Sequence, residues 1–327
     1  MKLLRYITFP LVPIYFLVTW LRNILYDFDI KKSKSYNFPV VCVGNLNVGG
    51  TGKTPMIEYL VRLFKNDYRV ATLSRGYKRQ TTGFLLANEK ASAESIGDEP
   101  FQFYKKFCDD ILVAVDTNRQ HGISKLMQLD KKPDVILLDD AYQHRKVKAG
   151  LNILLTTYST PYFNDYVLPT GNLREPRSGA KRADIIVVTK CPNTRSKVDE
   201  NNIRNNIKPL AHQQVFFSFI SYSEVVFSLD SQIKLQDLSN FTLVTGIANS
   251  KTLVDFLNAK GLNFEHLNFK DHHDFSKHDI AQLKKKPLIL TTEKDFVRLQ
   301  KHKALWATLF YLPIKLTLNN EKKFNEI

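Results

Sequence analysis

An apolar, β-branched run, Val40-Val41-Cys42-Val43, leads into a glycine-rich segment from Gly44 to Gly52 that closes on Lys53-Thr54-Pro55. A helical pattern, Met56 to Phe64, follows at once. Strand, glycine loop and helix in that order form a phosphate cradle. Glycines let successive backbone N–H groups turn toward phosphate oxygens, and the helix N-terminus adds partial positive charge. Asn47, Val48, Gly49, Gly50, Thr51, Gly52, Lys53 and Thr54 are therefore the expected nucleotide-binding residues. Lys53 is placed to reach the β- and γ-phosphates, and the Thr54 hydroxyl to ligate Mg²⁺. Pro55 suits a first helical turn, where its missing N–H costs nothing. The strict spacing wants Gly where Asn47 stands. Asn tolerates a left-handed turn better than other non-glycine residues, so the loop is expected to keep its shape.

A chain of 327 residues can bury a large core, as one big domain or two ordinary ones. Its 47 Lys+Arg against 32 Asp+Glu give a formal charge of +15, which favours an anionic partner without choosing among nucleic acid, membrane or phosphorylated substrate. Cys42, Cys108 and Cys191 are widely spaced and make no metal pattern, as in a reducing compartment. Residues 7–21 carry no charge, and Lys2, Arg5 and Arg22 bracket them. Pro10 and Pro13 are expected to interrupt this stretch, which falls short of the roughly 20 residues of a spanning helix. The preferred reading is a membrane-surface helix with its cations near anionic headgroups, peripheral on a cytoplasmic membrane face. A buried core helix is the plainer alternative.

Downstream, short apolar runs alternate with helical segments: 68–79 reads as a short strand followed by a cationic, glycine-containing loop, and 111–115, 134–140, 152–156 and 184–189 read as strands. That rhythm indicates an α/β fold, a P-loop NTPase-type mainly parallel sheet with helices on both faces, plus a smaller second α/β domain joined by a short β linker. The expected division is 1–30 membrane-surface segment, 31–212 P-loop domain, 213–235 linker and 236–327 second domain, closed by one strand over 309–318. In such sheets the active site lies beyond the C-terminal strand ends.

The chemistry-bearing residues fall at those ends. Asp139 and Asp140 follow an apolar strand and suit a hard cation, which takes one or two carboxylates and keeps several waters. With Thr54 they form the expected Mg²⁺ set, although Asp is also common at solvated strand ends. Gln143 and His144 follow in the same run. Asp98, after Gly97 at a helix start, is either a capping residue or a general base for a hydroxyl nucleophile. Asp271-His272 has the makings of a carboxylate–imidazole pair. Arg75, Lys78, Arg79, Arg119, Arg174 and Arg177 lie on loops near the strand ends. Arg119 and Arg174 are the first candidates to stabilise charge on a moving phosphoryl group.

The ordered set GNLNVGGTGKTP (44–55), LSRGYKR (73–79), GDEP (97–100), LLDDAYQHR (137–145), LPTGNLREP (168–176), VVTKCP (187–192), DHH (271–273) and TTEKDFVRL (291–299) closely resembles the tetraacyldisaccharide 4′-kinases of lipid A biosynthesis. The resemblance spans most of the chain. It implies two α/β domains with catalysis between them, and transfer of the ATP γ-phosphoryl group to the 4′-hydroxyl of a tetraacylated glucosamine disaccharide 1-phosphate. It further implies that Asp98 and His272 form the base pair, that Asp271 orients His272, and that Glu175 lies in the same cleft. The implied cofactors are ATP and Mg²⁺; the implied partners are the glycolipid and the membrane surface, with neither nucleic acid nor an obligate protein partner. Tyr142 stands where many members carry Phe, a mild departure.

Three rivals compete. A membrane-associated GTPase switch would want an Asn-Lys-x-Asp strand end, and Thr189-Lys190-Cys191-Pro192 lacks the aspartate. A nucleic-acid-dependent P-loop ATPase leaves the apolar N-terminal stretch unexplained. A P-loop kinase for another membrane-bound sugar or polyprenol is the third, and only substrate testing excludes it.

Overall fold

The computed structural model describes residues 7–192, 194–247, 249–271 and 273–327. Fifteen strands are numbered in chain order among these residues. The first eight are β1 Val40–Asn45, β2 Val70–Ser74, β3 Leu85–Leu86, β4 Ile111–Val115, β5 Val135–Asp139, β6 Leu151–Thr157, β7 Ile185–Thr189 and β8 Gln214–Tyr222. The remainder are β9 Val225–Phe227, β10 Gln232–Lys234, β11 Phe241–Thr245, β12 Phe264–Asn268, β13 Ile289–Thr292, β14 Leu309–Leu312 and β15 Ile314–Leu318.

The first sheet runs β15-β8-β7-β6-β1-β5-β2-β4-β3, and from β8 to β4 every pairing is parallel. Both faces are covered, as a parallel sheet requires. Val40 and Cys42 join one apolar cluster and Val41 and Val43 the other, so alternate side chains of a single strand feed two cores. The chain leaves β1 in one direction for β2 and β4, then fills β5 and returns past β1 to β6, β7 and β8. The P-loop thus sits where the winding reverses, the crevice that open α/β sheets use for ligands.

The second sheet runs β10-β9-β14-β13-β11-β12, parallel from β14 to β12. Two departures from the sequence reading concern the junction of the units. Residues 214–222 serve as more than a connector, because β8 pairs in parallel with β7 inside the first sheet. The strand expected over 309–318 is two strands: β14 belongs to the second sheet, whereas β15 crosses back and pairs antiparallel with β8. Leu316, Leu318 and Phe324 then complete a core of the first unit, so the chain's end ties the two sheets together.

The prolines near the N-terminus do not break the helix. Pro10 lies in a short 3₁₀ turn, Phe9–Leu11, and Pro13 in the first turn of the helix Val12–Asp27, where no N–H is needed. From Phe9 to Asp27 the segment is long and apolar enough to cross a membrane by length and composition, and its most apolar window is only 11% buried. Ile14, Leu17 and Val18 are exposed, while Asn23 and Tyr26 face the protein.

Candidate active site

The P-loop is held from beneath. Gly52 has φ 89, a left-handed conformation open to glycine, and the helix Lys53–Phe64 starts directly after it. Asn45 Nδ2 donates to Thr51 Oγ1 at 2.7 Å, Thr189 Oγ1 donates to the Thr51 carbonyl at 2.7 Å, and Lys190 Nζ to the Gly50 carbonyl at 2.6 Å. With these carbonyls tied down, the loop is organised before any phosphate arrives. The Thr-Lys-Cys-Pro run, which lacks a base-reading aspartate, therefore has a structural duty toward the loop. Asn47 differs from expectation: the left-handed positions are Gly49 and Gly52, while Asn47 bridges to Leu173 and its Nδ2 donates to Asp165 Oδ2 at 3.1 Å.

A cleft of about 1110 Å³ opens above the strand ends. Val48, Gly49, Gly50, Thr51, Gly52, Lys53 and Thr54 line one side, together with Asp98, Arg119, Asp139, Asp140 and Arg174. Asp271 lines the facing side from the second unit, and His272 lies outside the described residues. Asn47 and Glu175 are not among the lining groups. Glu175 is 1% exposed and sits under the floor, accepting from Asn23 Nδ2 at 2.6 Å, Arg182 Nη2 at 2.8 Å and Gln143 Nε2 at 3.0 Å. Its place in the chain next to Arg174 brings it close to the cleft, but its carboxylate fastens the N-terminal helix to the floor instead.

Asp140 has φ 48 and Lys190 φ 56, two non-glycine residues in left-handed backbone at the cleft's edge. Each such conformation costs on the order of 1–3 kcal/mol and persists where surrounding contacts impose it. Arg174 Nη1 donates to Asp140 Oδ1 at 2.8 Å, and Lys53 Nζ lies 3.7 Å from the same oxygen. Although burial opposes ionisation, Lys53 and Arg174 hold Asp140 below the usual carboxylate range.

Asp139 is the converse case. Burial, with Glu99 and Asp140 adding negative charge, pushes its carboxyl up to about 7. Its Oδ1 is buried without a hydrogen-bond partner, and Ser74 Oγ is 3.4 Å from Oδ2. A buried carboxylate oxygen with nothing to accept from is a fitting donor for a hard cation, and the Thr54 hydroxyl, which lines the same cleft, is of the same hard-oxygen kind.

Arg119 is held by backbone carbonyls, Nη1 on Asp116 at 2.9 Å and Nη2 on Asp139 at 3.4 Å. Its burial makes it a fixed cation under the cleft. Burial and Arg119 push His144 down to about 4, leaving a neutral imidazole on the cleft wall.

Asp98 opens the helix Asp98–Phe107 after Gly97, where a φ of 94 and the 3.0 Å separation of an added Cβ from Tyr77 O disfavour a side chain. Arg298 Nε and Nη2 both donate to Asp98 Oδ2, at 3.0 and 2.7 Å. Arg298 was not singled out from sequence, because a separation of 200 residues carries no local signal. Ile220, Tyr222, Ile247 and Leu253 are apolar residues of the cleft lining.

Residues 4–327 match the family model described as Tetraacyldisaccharide-1-P 4′-kinase, LpxK. Among curated relatives, a tetraacyldisaccharide 4′-kinase of Flavobacterium johnsoniae is 52% identical, covering 99% of this chain and 96% of its own length. One of Bacteroides fragilis is 45% identical over 94% of this chain and 87% of its own. Among solved structures, LpxK from Aquifex aeolicus in complex with ATP superposes with a TM-score of 0.79 at 32% identity, covering 99% of this chain and 98% of the other.

Proposed function

Because this chain belongs to the tetraacyldisaccharide 4′-kinase family, and is thus an ATP-dependent kinase of lipid A biosynthesis, we propose a division of labour among its cleft residues. Lys53 and the backbone N–H groups of 49–54 bind the ATP phosphates. Thr54, Asp139 and Asp140 hold Mg²⁺, which when bound neutralises charge on the phosphate oxygens. The apolar wall of Ile220, Tyr222, Ile247 and Leu253 takes the nucleobase.

Asp98 and His272 form the base pair, with Asp271 orienting His272. As the new O–P bond forms at the 4′-hydroxyl, its proton passes to that pair, while the bond between the γ-phosphorus and the bridging oxygen breaks and ADP leaves. Arg174 and Arg119 stabilise charge on the equatorial oxygens. Neutral His144 donates or accepts a hydrogen bond on the sugar side without adding charge. The two sheets close over the cleft and exclude water, which limits wasted ATP hydrolysis.

The enzyme works as a peripheral protein on the cytoplasmic face of the inner membrane. The helix Val12–Asp27 supports this, with its apolar side exposed and its polar side bonded to the cleft floor. An interfacial helix fixed to the floor presents the cleft to a lipid-borne sugar. The observation that carries the reading is the convergence of Lys53, Asp140, Arg174 and Asp98 on one cleft that also receives Asp271 from the second unit.

The test is transfer of labelled γ-phosphoryl to tetraacyldisaccharide 1-phosphate in detergent micelles with Mg²⁺, comparing wild type with Lys53→Ala and Asp98→Asn. Lipid-soluble label from wild type alone is the expected result. Wild-type turnover by a folded Asp98→Asn removes Asp98 from the chemistry.

A further inference from the structure

Two helices from different units meet along their length. The helix Asp98–Phe107 belongs to the first unit and the helix Glu293–Leu299 to the second. Val297 packs into an apolar cluster with Ile96, Phe101 and Val115. Lys106 reaches across to Glu293, and Arg298 to Asp98.

The last contact differs from an ordinary surface ion pair. Arg298 is 8% exposed, and its three outer nitrogens are divided between two carboxylates: Nε and Nη2 on Asp98 Oδ2, Nη1 on Asp295 Oδ1 at 3.2 Å. Asp295 is fully buried and accepts from the Gly246 N–H and Thr292 Oγ1, each at 2.8 Å. The guanidinium plane is thereby fixed from the second unit before it meets Asp98. Both donors take the same Asp98 oxygen, Oδ2, so the Asp98 carboxylate is tied to the second unit by a two-point contact.

We propose that Arg298 is a positioning residue for phosphoryl transfer: from the second unit it orients the Asp98 carboxylate that, with His272, receives the acceptor proton. This rests on the assignment of Asp98 to the base pair. A latch that merely joins the units would use the same atoms, but its loss would appear in stability and substrate affinity. Loss of orientation appears in kcat, because a base displaced by a fraction of an ångström binds nothing less well.

The experiment measures kcat and KM for ATP and for tetraacyldisaccharide 1-phosphate in mixed micelles. It compares wild type, Asp98→Asn, Arg298→Gln, Arg298→Lys, Arg298→Ala and the Asp98→Asn/Arg298→Gln double variant. Arg298→Gln is expected to lose about 100-fold in kcat, with both KM values within about threefold of wild type. Arg298→Lys falls between. The double variant loses no more than Asp98→Asn alone, since both changes disable one group. Millimolar guanidinium raises turnover of Arg298→Ala and not of Asp98→Asn. If Arg298→Gln fails to fold, Arg298→Lys and the guanidinium response decide the matter. Unchanged kcat in Arg298→Gln, a loss confined to KM and Tm, or losses that add fully in the double variant each overturn the proposal while leaving Asp98 in place. Full turnover by Asp98→Asn instead overturns the base assignment, and this inference with it.

Discussion

Arg174 donates to Asp140 Oδ1 at 2.8 Å, and through that shared oxygen a residue of the 168–176 loop is coupled to the P-loop lysine. Asp140 thus keeps two cations of the cleft within reach of one another, at a strained backbone position that only a dense set of contacts would maintain. Replacing it by Asn keeps the shape and removes the charge. Asp140→Asn is expected to lose about 10²–10³ in kcat, because it weakens the hold on the Mg²⁺ that neutralises charge on the phosphate oxygens. It should also demand more Mg²⁺ for half-maximal rate, and chelation should stop the wild-type reaction reversibly. Steady-state kinetics across a Mg²⁺ titration checks this; unchanged rate and metal demand would take Asp140 out of both roles.

The N-terminal helix has separable faces. Leu17 and Val18 are exposed, whereas Asn23 is buried on Glu175. Leu17→Ser/Val18→Ser should weaken partition onto anionic vesicles by about tenfold or more through lost apolar contact, with Tm nearly unchanged. Asn23→Ala should leave vesicle partition alone and cost about 1–3 kcal/mol of stability, because it strips a donor from a buried carboxylate. Vesicle sedimentation paired with thermal melts separates the two; equal sedimentation of the double Ser variant and wild type would rule out the exposed face as the membrane contact.

Tyr142 carries a hydroxyl that donates to the Gly179 carbonyl at 2.8 Å, and its ring lies under the Arg182 guanidinium at 4.7 Å. The hydroxyl is satisfied locally and points away from the chemistry. Tyr142→Phe should cost only about 0.5–1.5 kcal/mol and leave kcat intact. Gly44→Ala, by contrast, would place a methyl 2.6 Å from Tyr142 Cβ, and overpacking there should cost about 1–3 kcal/mol or more. Denaturant melts of both variants test the pair; a Gly44→Ala midpoint equal to wild type would refute the packing argument.

What was legible in the sequence followed from local rules. The strand, glycine loop and helix of 40–64 announce themselves because each element's signal lies within a few residues. Asp139 and Asp140 were readable as the end of an apolar strand. The resemblance of ordered motifs carried the family. Long-range relationships left no such trace. Arg298 meets Asp98 across 200 residues, and β15 returns to β8 after a full second sheet. Glu175 looked like a cleft residue because Arg174 beside it is one, yet adjacent side chains on an irregular loop point different ways. Turn geometry alone would account for Asn47, yet its side chain is spent on Asp165. The prolines at 10 and 13 looked like breakers because sequence does not reveal that a helix begins there.

Where the helices of the two units meet, a buried carboxylate makes stability depend on pH. Lys106 Nζ bonds Glu58 Oε2 at 2.6 Å and also reaches Glu293, while Gln102 Nε2 donates to Glu58 Oε1 at 3.1 Å. Burial, with the nearby charge of Glu58, pushes Glu293 from its ordinary 4.5 up to about 7, with Lys106 opposing. A raised carboxyl binds its proton in the folded protein where the unfolded chain has already released it. Stability should therefore fall as pH rises from about 4.5 to about 7, then level off. At about 1.4 kcal/mol per pK unit the loss has a ceiling of about 3 kcal/mol. Glu293→Gln cannot ionise and should escape it, so its stability relative to wild type should improve between about pH 5 and about pH 8. Urea midpoints of both proteins across that range check the sign: a constant difference would mean that Glu293 is already ionised at about pH 5, titrating normally or held ionised by Lys106, and would overturn the raised value.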